Sequence, residues 1–187
     1  MLKMDSQWHK YQVFEKERAD LPHRNAGSVH APDAEMAMEN ARDVFVRRPN
    51  CLSLWVVADR AIFSVTAQEL ETDAWRNADS QNDAADETYL VFQKQGQTAR
   101  ETFVAHVGQV NAISPQDALA RALETFPKKN VFVWWLVPER AVNKSEDSDA
   151  PSMFAPAHTK TYRNHLAYPV EPIMRELKSA QEMLANE

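Results

Sequence analysis

The chain carries the same stretch of sequence twice, and that repeat limits the possible folds more than any single motif does. Tyr11-Gln-Val-Phe-Glu-Lys16 returns as Tyr89-Leu-Val-Phe-Gln-Lys94, with four identities in six positions. Gly27-Ser-Val-His-Ala31 returns as Gly108-Gln-Val-Asn-Ala112, and Trp55-Val-Val-Ala-Asp-Arg-Ala-Ile62 as Trp135-Leu-Val-Pro-Glu-Arg-Ala-Val142. Order is kept, and the offset drifts only between 78 and 81. This is a tandem duplication, so the fold must be two copies of one small unit.

Each copy has the same local pattern. A strand around Tyr11–Glu17, or Thr88–Lys94, is followed by a second strand ending near His30 or Val110. A helix comes next. Asp33 and Ser114 are suited to accept from the free N–H groups of its first turn, and Pro115 suits the first helical position. Apolar residues at Ala34, Ala37, Met38, Ala41, Val44 and Phe45, matched by Ala118, Leu119, Ala122 and Phe126, form one helical stripe that faces a sheet. A third strand, Leu52–Ala58 or Val131–Pro138, is rich in the β-branched and aromatic residues that strands favour. A unit this small is close to the lower limit for independent stability, so the two copies are expected to pack together. The expected fold is α+β, with two tandem ββαβ units whose antiparallel sheets pack as a pseudo-dimer, plus a C-terminal arm and helix.

Residues 1–66 are expected to form the first unit, 67–87 an acidic linker, 88–142 the second unit and 143–187 a tail. Leu70 and Trp75 suit a short helix in the linker. Asn143–Ser152 has the composition of a solvated loop. Met153–Pro169 reads as an extended surface arm, and Glu171-Pro172 opens a last helix with Ile173, Leu177, Ala180 and Leu184 on one face.

Composition narrows the partners. With 21 basic and 27 acidic residues the net charge is −6, which gives no general reason to bind nucleic acid or anionic lipid. The longest apolar runs fall far short of the roughly 20 residues that cross a bilayer. The lone Cys51 and the absence of an apolar signal-peptide centre point to the cytoplasm.

The usual catalytic patterns are missing. No Glu is followed three positions later by His, the pair by which one helix presents two ligands to a di-iron centre. There is no His-Glu-x-x-His, Cys-x-x-Cys or Gly-x-Ser-x-Gly. Gly27, Gly96 and Gly108 are too few and too scattered for a phosphate-cradling loop. No catalytic, cofactor-binding or metal-binding residue is therefore assigned. His9, His23, His30, His106, His158 and His165 remain; His23 and His30 are candidates for a shared metal or an acid–base pair, but Asn111 stands in place of His30 in the other copy. Arg47-Arg48 and Lys128-Lys129 end the two helices, where positive charge suits the helix dipole and also suits an acidic partner. In Trp134-Trp135 one ring must point away from the face its neighbour serves, and Trp134 is read as the one at an interface. With Phe154, Tyr162 and Tyr168 these four cations and Trp134 make up the expected partner surface.

The run Gly27-Ser-Val-His-Ala-Pro-Asp-Ala-Glu-Met-Ala-Met-Glu-Asn-Ala-Arg-Asp-Val-Phe-Val-Arg-Arg48, followed by Ser53-Leu-Trp-Val-Val57, closely resembles the PaaB family of phenylacetate-CoA oxygenase (phenylacetyl-CoA epoxidase) components. Gly27, His30, Asp33, Glu35, Asn40, Arg42, Asp43 and Trp55 carry the match, and the second copy looks like a diverged member. The resemblance implies an accessory subunit of a multicomponent monooxygenase that epoxidises the aromatic ring of phenylacetyl-CoA. Its expected partners are a di-iron catalytic subunit, a structural subunit and a reductase, with no cofactor of its own. The other reading of the residues is a stand-alone small-molecule-binding α+β domain, with a pocket between its sheets and His30 or His106 as the polar group.

Overall fold

Strand β1 (His9–Lys16) is buried from Tyr11 to Phe14, with Tyr11 and Val13 on one face of its sheet and Phe14 on the other. Both faces must therefore be covered, and the rest of the chain supplies the covers. The computed structural model describes residues 8–47, 50–72, 74–77, 86–95, 103–128, 130–159 and 172–177. In the first copy β1 lies between β2 (Arg24–Ala31) and β3 (Ser53–Ala58), with α1 (Ala34–Phe45) between the last two in sequence. A short strand β4 (Phe63–Thr66) and a one-turn helix α2 (Ala67–Glu71) follow. The second copy repeats this as β5 (Glu87–Gln95), β6 (Val104–Ala112), α3 (Pro115–Thr125), β7 (Val131–Pro138), β8 (Val142–Lys144) and α4 (Ala150–Phe154). Every described strand pairing is antiparallel. The α+β fold of two ββαβ repeats is thus the observed one. A helical segment, α5, covers 172–177.

The helix starts are where the sequence places them. Asp33 accepts from the Met36 N–H at 2.8 Å, and the Ser114 hydroxyl accepts from the Asp117 N–H at 3.1 Å with Pro115 behind it. Ala37 and Ala41 of α1 are buried on Tyr11, Val13, Leu54 and Val56, and Ala118, Leu119 and Ala122 of α3 on Tyr89, Val91, Trp134 and Leu136.

A bulge marks the same point in each copy. Val13 pairs with Gly27 but Phe14 with Asn25, and Val91 with Gly108 but Phe92 with His106, so β2 and β6 each carry one extra residue there. Gly27 has φ +143° and Gly108 φ +156°. The aromatic ring at the end of each helix, Phe45 or Phe126, lies where a β-carbon on that glycine would be.

The eight strands form one antiparallel sheet in the order β4-β7-β5-β6-β2-β1-β3-β8, so the sheets of the two copies are halves of a single sheet joined at β6–β2. The short strands are exchanged: β4 pairs with β7 of the second copy, and β8 pairs with β3 of the first. β2 and β6 meet through one pair, Arg24 with Ala105, and the His106 N–H donates to the His23 carbonyl at 2.9 Å. On the sheet faces opposite the helices a shared core forms from Phe14, Val57, Leu90, Phe92, Val104, Val137 and Val142. The rings of Phe14 and Phe92, equivalent residues of the two copies, are 4.4 Å apart.

The exchange extends past the strands and corrects three expectations. Leu70 of α2 and Trp75 pack on the second core, so the start of the acidic linker is part of the neighbouring unit. The stretch expected as a solvated loop begins instead with Asn143 and Lys144 inside β8 and continues into α4. Phe154, expected on a surface arm, is 6% exposed and fills the first core with Ala157. The reason is the same in each case, because a unit of three strands and one helix leaves an edge strand and part of its core uncovered, and the other copy supplies both covers.

Candidate partner interface

Seven of the eight family-type residues of the first copy serve the architecture, and of His30 only the main-chain carbonyl does, its side chain being exposed. Gly27 admits the Phe45 ring, Asp33 caps α1, and the Asn40 side chain donates to the His30 carbonyl at 3.3 Å, tying α1 to β2. Glu35 is an acid in the first turn of α1, where the helix dipole favours it. Arg42 bridges Glu39 at 2.7 Å and Asp43 at 3.0 Å. Trp55 lies on the side of the shared core, its ring stacked on His23 with centroids 3.5 Å apart and the Lys144 ammonium 5.3 Å from its centre. These contacts explain why such residue types stand at those spacings.

The candidate interface residues separate. Trp134 is 3% exposed in the second core beneath α3, which removes it from any partner surface; both faces of β7 are covered, and Trp135 lies against the shared core. Phe154 is withdrawn for the same reason. Arg47 and Lys128 remain on the surface beside the ends of α1 and α3, and Arg47 Nε donates to the Val44 carbonyl, answering a helix-end acceptor. Arg48, Lys129, Tyr162 and Tyr168 lie outside the described residues. Of α5, Ile173, Met174 and Leu177 are exposed.

Two grooves flank the β2–β6 junction, one beside the end of each long helix. The groove beside α3 encloses about 610 Å³ and is lined by Gln93, Gln95, Lys128, Arg24 and Phe103 among others. The one beside α1 encloses about 370 Å³ and is lined by Glu15, Glu17, Arg47, Arg24 and Phe103. Arg24 and Phe103 are common to both. Phe103 is 47% exposed, with the Arg24 guanidinium 5.9 Å from its ring centre, and neither residue carries a motif that the repeat or the resemblance would single out. In the α1 groove Glu17 holds Arg24 at 3.3 Å. In the α3 groove Gln93, 1% exposed, donates to the Phe126 carbonyl at 3.2 Å, and Gln95 donates to Gln93 at 3.1 Å.

The histidines do not assemble a catalytic pair. His30 is exposed, whereas His23 is 7% exposed, with its Nε2 3.1 Å from the Ser53 hydroxyl. His106 sits nearby against Trp55 and Phe92 with its Nε2 buried and unpartnered. Among the described residues no three His, Cys, Asp or Glu side chains are grouped so as to hold a metal. Burial, reinforced by His106, Lys16 and Lys144, pushes the His23 pKa down from 6.5 to about 3, and burial lowers that of His106. Burial also pushes the Cys51 thiol up to about 12, leaving it inert.

Acid sensitivity follows. Between pH 6.5 and about 3 the unfolded chain protonates His23 while the folded chain does not, so stability falls as the pH falls, by about 1.4 kcal/mol per pH unit from this residue. Val104 fills the equivalent place beside the junction in the second copy and is likewise buried. His23→Val is therefore expected to remove about 2 kcal/mol of the loss between pH 6.5 and 5. Urea unfolding at the two pH values checks this; an unchanged pH difference would contradict it.

The comparisons agree with the duplicated architecture. The family model "Phenylacetic acid degradation B" matches twice, over residues 7–94 and 87–173. The chain belongs to this family. A segment of 62 residues is 44% identical to the B-type subunit of the 1,2-phenylacetyl-CoA epoxidase of Escherichia coli (strain K12), covering 33% of this chain and 65% of the relative. The match thus spans just under two thirds of that relative's length. No solved structure matches. Family membership explains the paired glycine–phenylalanine contacts, since each copy is one family unit, and the exchanged strands show how two units share one chain. Among the described residues no helix is long and apolar enough to cross a membrane.

Proposed function

We propose that this chain is a non-catalytic accessory subunit of a multicomponent oxygenase acting on phenylacetyl-CoA, and that it assembles or connects the catalytic subunits. The relative that it matches at 44% identity belongs to a 1,2-phenylacetyl-CoA epoxidase, and this observation carries the reading. The placement of the family-type residues supports it, because Gly27, Asp33, Asn40 and Arg42 serve a bulge, a helix cap, a helix-to-strand tie and ion pairs within α1 rather than a reaction. The partners are then a di-iron catalytic subunit, a structural subunit and a reductase, and the site of action is the cytoplasm. The binding-domain reading loses ground for a packing reason: Phe14, Leu90, Phe92 and Val137 fill the space between the two halves of the sheet that its pocket would need.

Co-expression with the other oxygenase subunits of the same genome tests the proposal. The chain is expected to co-purify with them, and oxygenation of phenylacetyl-CoA by the reconstituted set is expected to fall at least tenfold when it is omitted and to return when it is added back. A complex that assembles and turns over equally well without it would refute the accessory role.

A further inference from the structure

The two grooves occupy equivalent places in the two copies, so the chain contains its own control. A C2 dimer of identical single units would present the same groove twice. Here the grooves have diverged at the residues that set their charge. Glu15 and Glu17 of the α1 groove correspond to Gln93 and Gln95 of the α3 groove, at the constant offset of 78 set by the repeat of β1 in β5. The cation beside the helix end is retained, as Arg47 in one and Lys128 in the other. Framework residues change little between the copies: Phe14 and Phe92, Gly27 and Gly108, and Phe45 and Phe126 are preserved. The difference is therefore one of surface chemistry on a common scaffold.

The electrostatic consequence is asymmetric. In the α1 groove two carboxylates line the same wall as Arg24 and Arg47, and Glu17 already pairs with Arg24. Among the described residues no carboxylate lines the α3 groove; its amides are neutral, and Lys128 is exposed and makes no ion pair there. Beside Lys128 lie an exposed apolar ring, Phe103, and the ring of Pro127. Charged groups at an interface act mainly by choosing the partner. A segment that carries carboxylates would be attracted by the α3 groove, lined by Arg24 and Lys128, and would gain no net attraction from the α1 groove, where Glu15 and Glu17 balance Arg24 and Arg47.

Building on the accessory-subunit reading, we infer that the α3 groove alone is the docking site, that its occupant is an acidic segment of a partner oxygenase subunit with an apolar side chain against Phe103, and that each chain therefore takes one copy of that partner rather than two. The duplication, on this view, converts a two-sided connector into a one-sided one.

The test uses the full chain and the co-expressed oxygenase subunits, with copy number read by native mass spectrometry and affinity by calorimetry at low and moderate salt. One copy of the docking subunit per chain is expected, with affinity falling as salt rises. Gln95→Glu with Lys128→Glu, which gives the α3 groove the charge of a carboxylate-lined wall, is expected to weaken binding at least tenfold. The reciprocal Glu15→Gln with Glu17→Gln is expected to leave the first copy bound and admit a second. Thermal unfolding of each double variant, unchanged from the parent chain, shows that the effect belongs to the surface. Two docked copies on the unaltered chain, or full affinity in the Gln95→Glu, Lys128→Glu variant, would overturn the one-sided site while leaving the accessory role in place. Absence of any complex would overturn the accessory role and this inference with it.

Discussion

Gly108→Ala is expected to lower the unfolding free energy by about 2–4 kcal/mol. Two costs combine at this position. The backbone φ of +156° is one that side-chain-bearing residues rarely adopt, and a β-carbon there would stand 2.4 Å from the Phe126 ring. The bulge in β6 and the end of α3 meet here, so a β-carbon could be admitted only if the ring left this contact toward the groove that it lines. Gly27→Ala is expected to act in the same direction but less strongly, since its β-carbon would meet Phe45 at 2.8 Å with φ +143°. Urea unfolding measures both. Adding Phe126→Ala separates the costs, because it relieves the steric part and leaves the backbone part; the double variant should lose less than the sum of the two single changes. Strict additivity would mean that the ring contact is not what makes glycine necessary.

Phe14→Ala is expected to cost about 3–5 kcal/mol and to unfold both copies in one transition. Phe14 is fully buried, 4.4 Å from Phe92 and edge-on to Trp135 with centroids 6.2 Å apart, so its removal opens a cavity in the core that the two halves of the sheet share. The second copy has no separate refuge from that loss. Its edge strand β4 and its covering residues Leu70 and Trp75 come from the first copy, as β8 and Phe154 of the first core come from the second. Circular dichroism and tryptophan fluorescence should report the same midpoint. Two separated transitions, one per copy, would show that the exchange does not couple the units.

Most of the local structure is legible in residue order because its causes are local. Asp33 and Ser114-Pro115 announce helix starts through hydrogen bonds that reach three residues along the chain. The alternation in Leu54, Trp55, Val56 and Val57 follows from the two-residue period of a strand, and the structure sends Leu54 and Val56 to the helix side and Trp55 and Val57 to the other. The duplication itself, and with it the two-unit fold and the family, is written in the matched segments. The candidate interface is less legible. Arg47 and Lys128 are marked by their place at helix ends, whereas Arg24 lies in a polar stretch and Phe103 only opens the strand alternation of Phe103, Ala105 and Val107, and the two acquire a shared meaning only where β2 meets β6.

From residue order follow the repeat, the caps, the strand and helix periods and the pairing of each glycine with its copy, all set by contacts between near neighbours or by direct identity. The folded chain decides the rest: which sheet edge β4 and β8 complete, that Trp134 and Phe154 are buried, and that two unequal grooves lie beside one junction. A strand of three or four residues carries no signal for which edge it will join. That choice is made by which exposed edge and which uncovered core lie within reach of the connection, and those exist only once both copies have folded against each other.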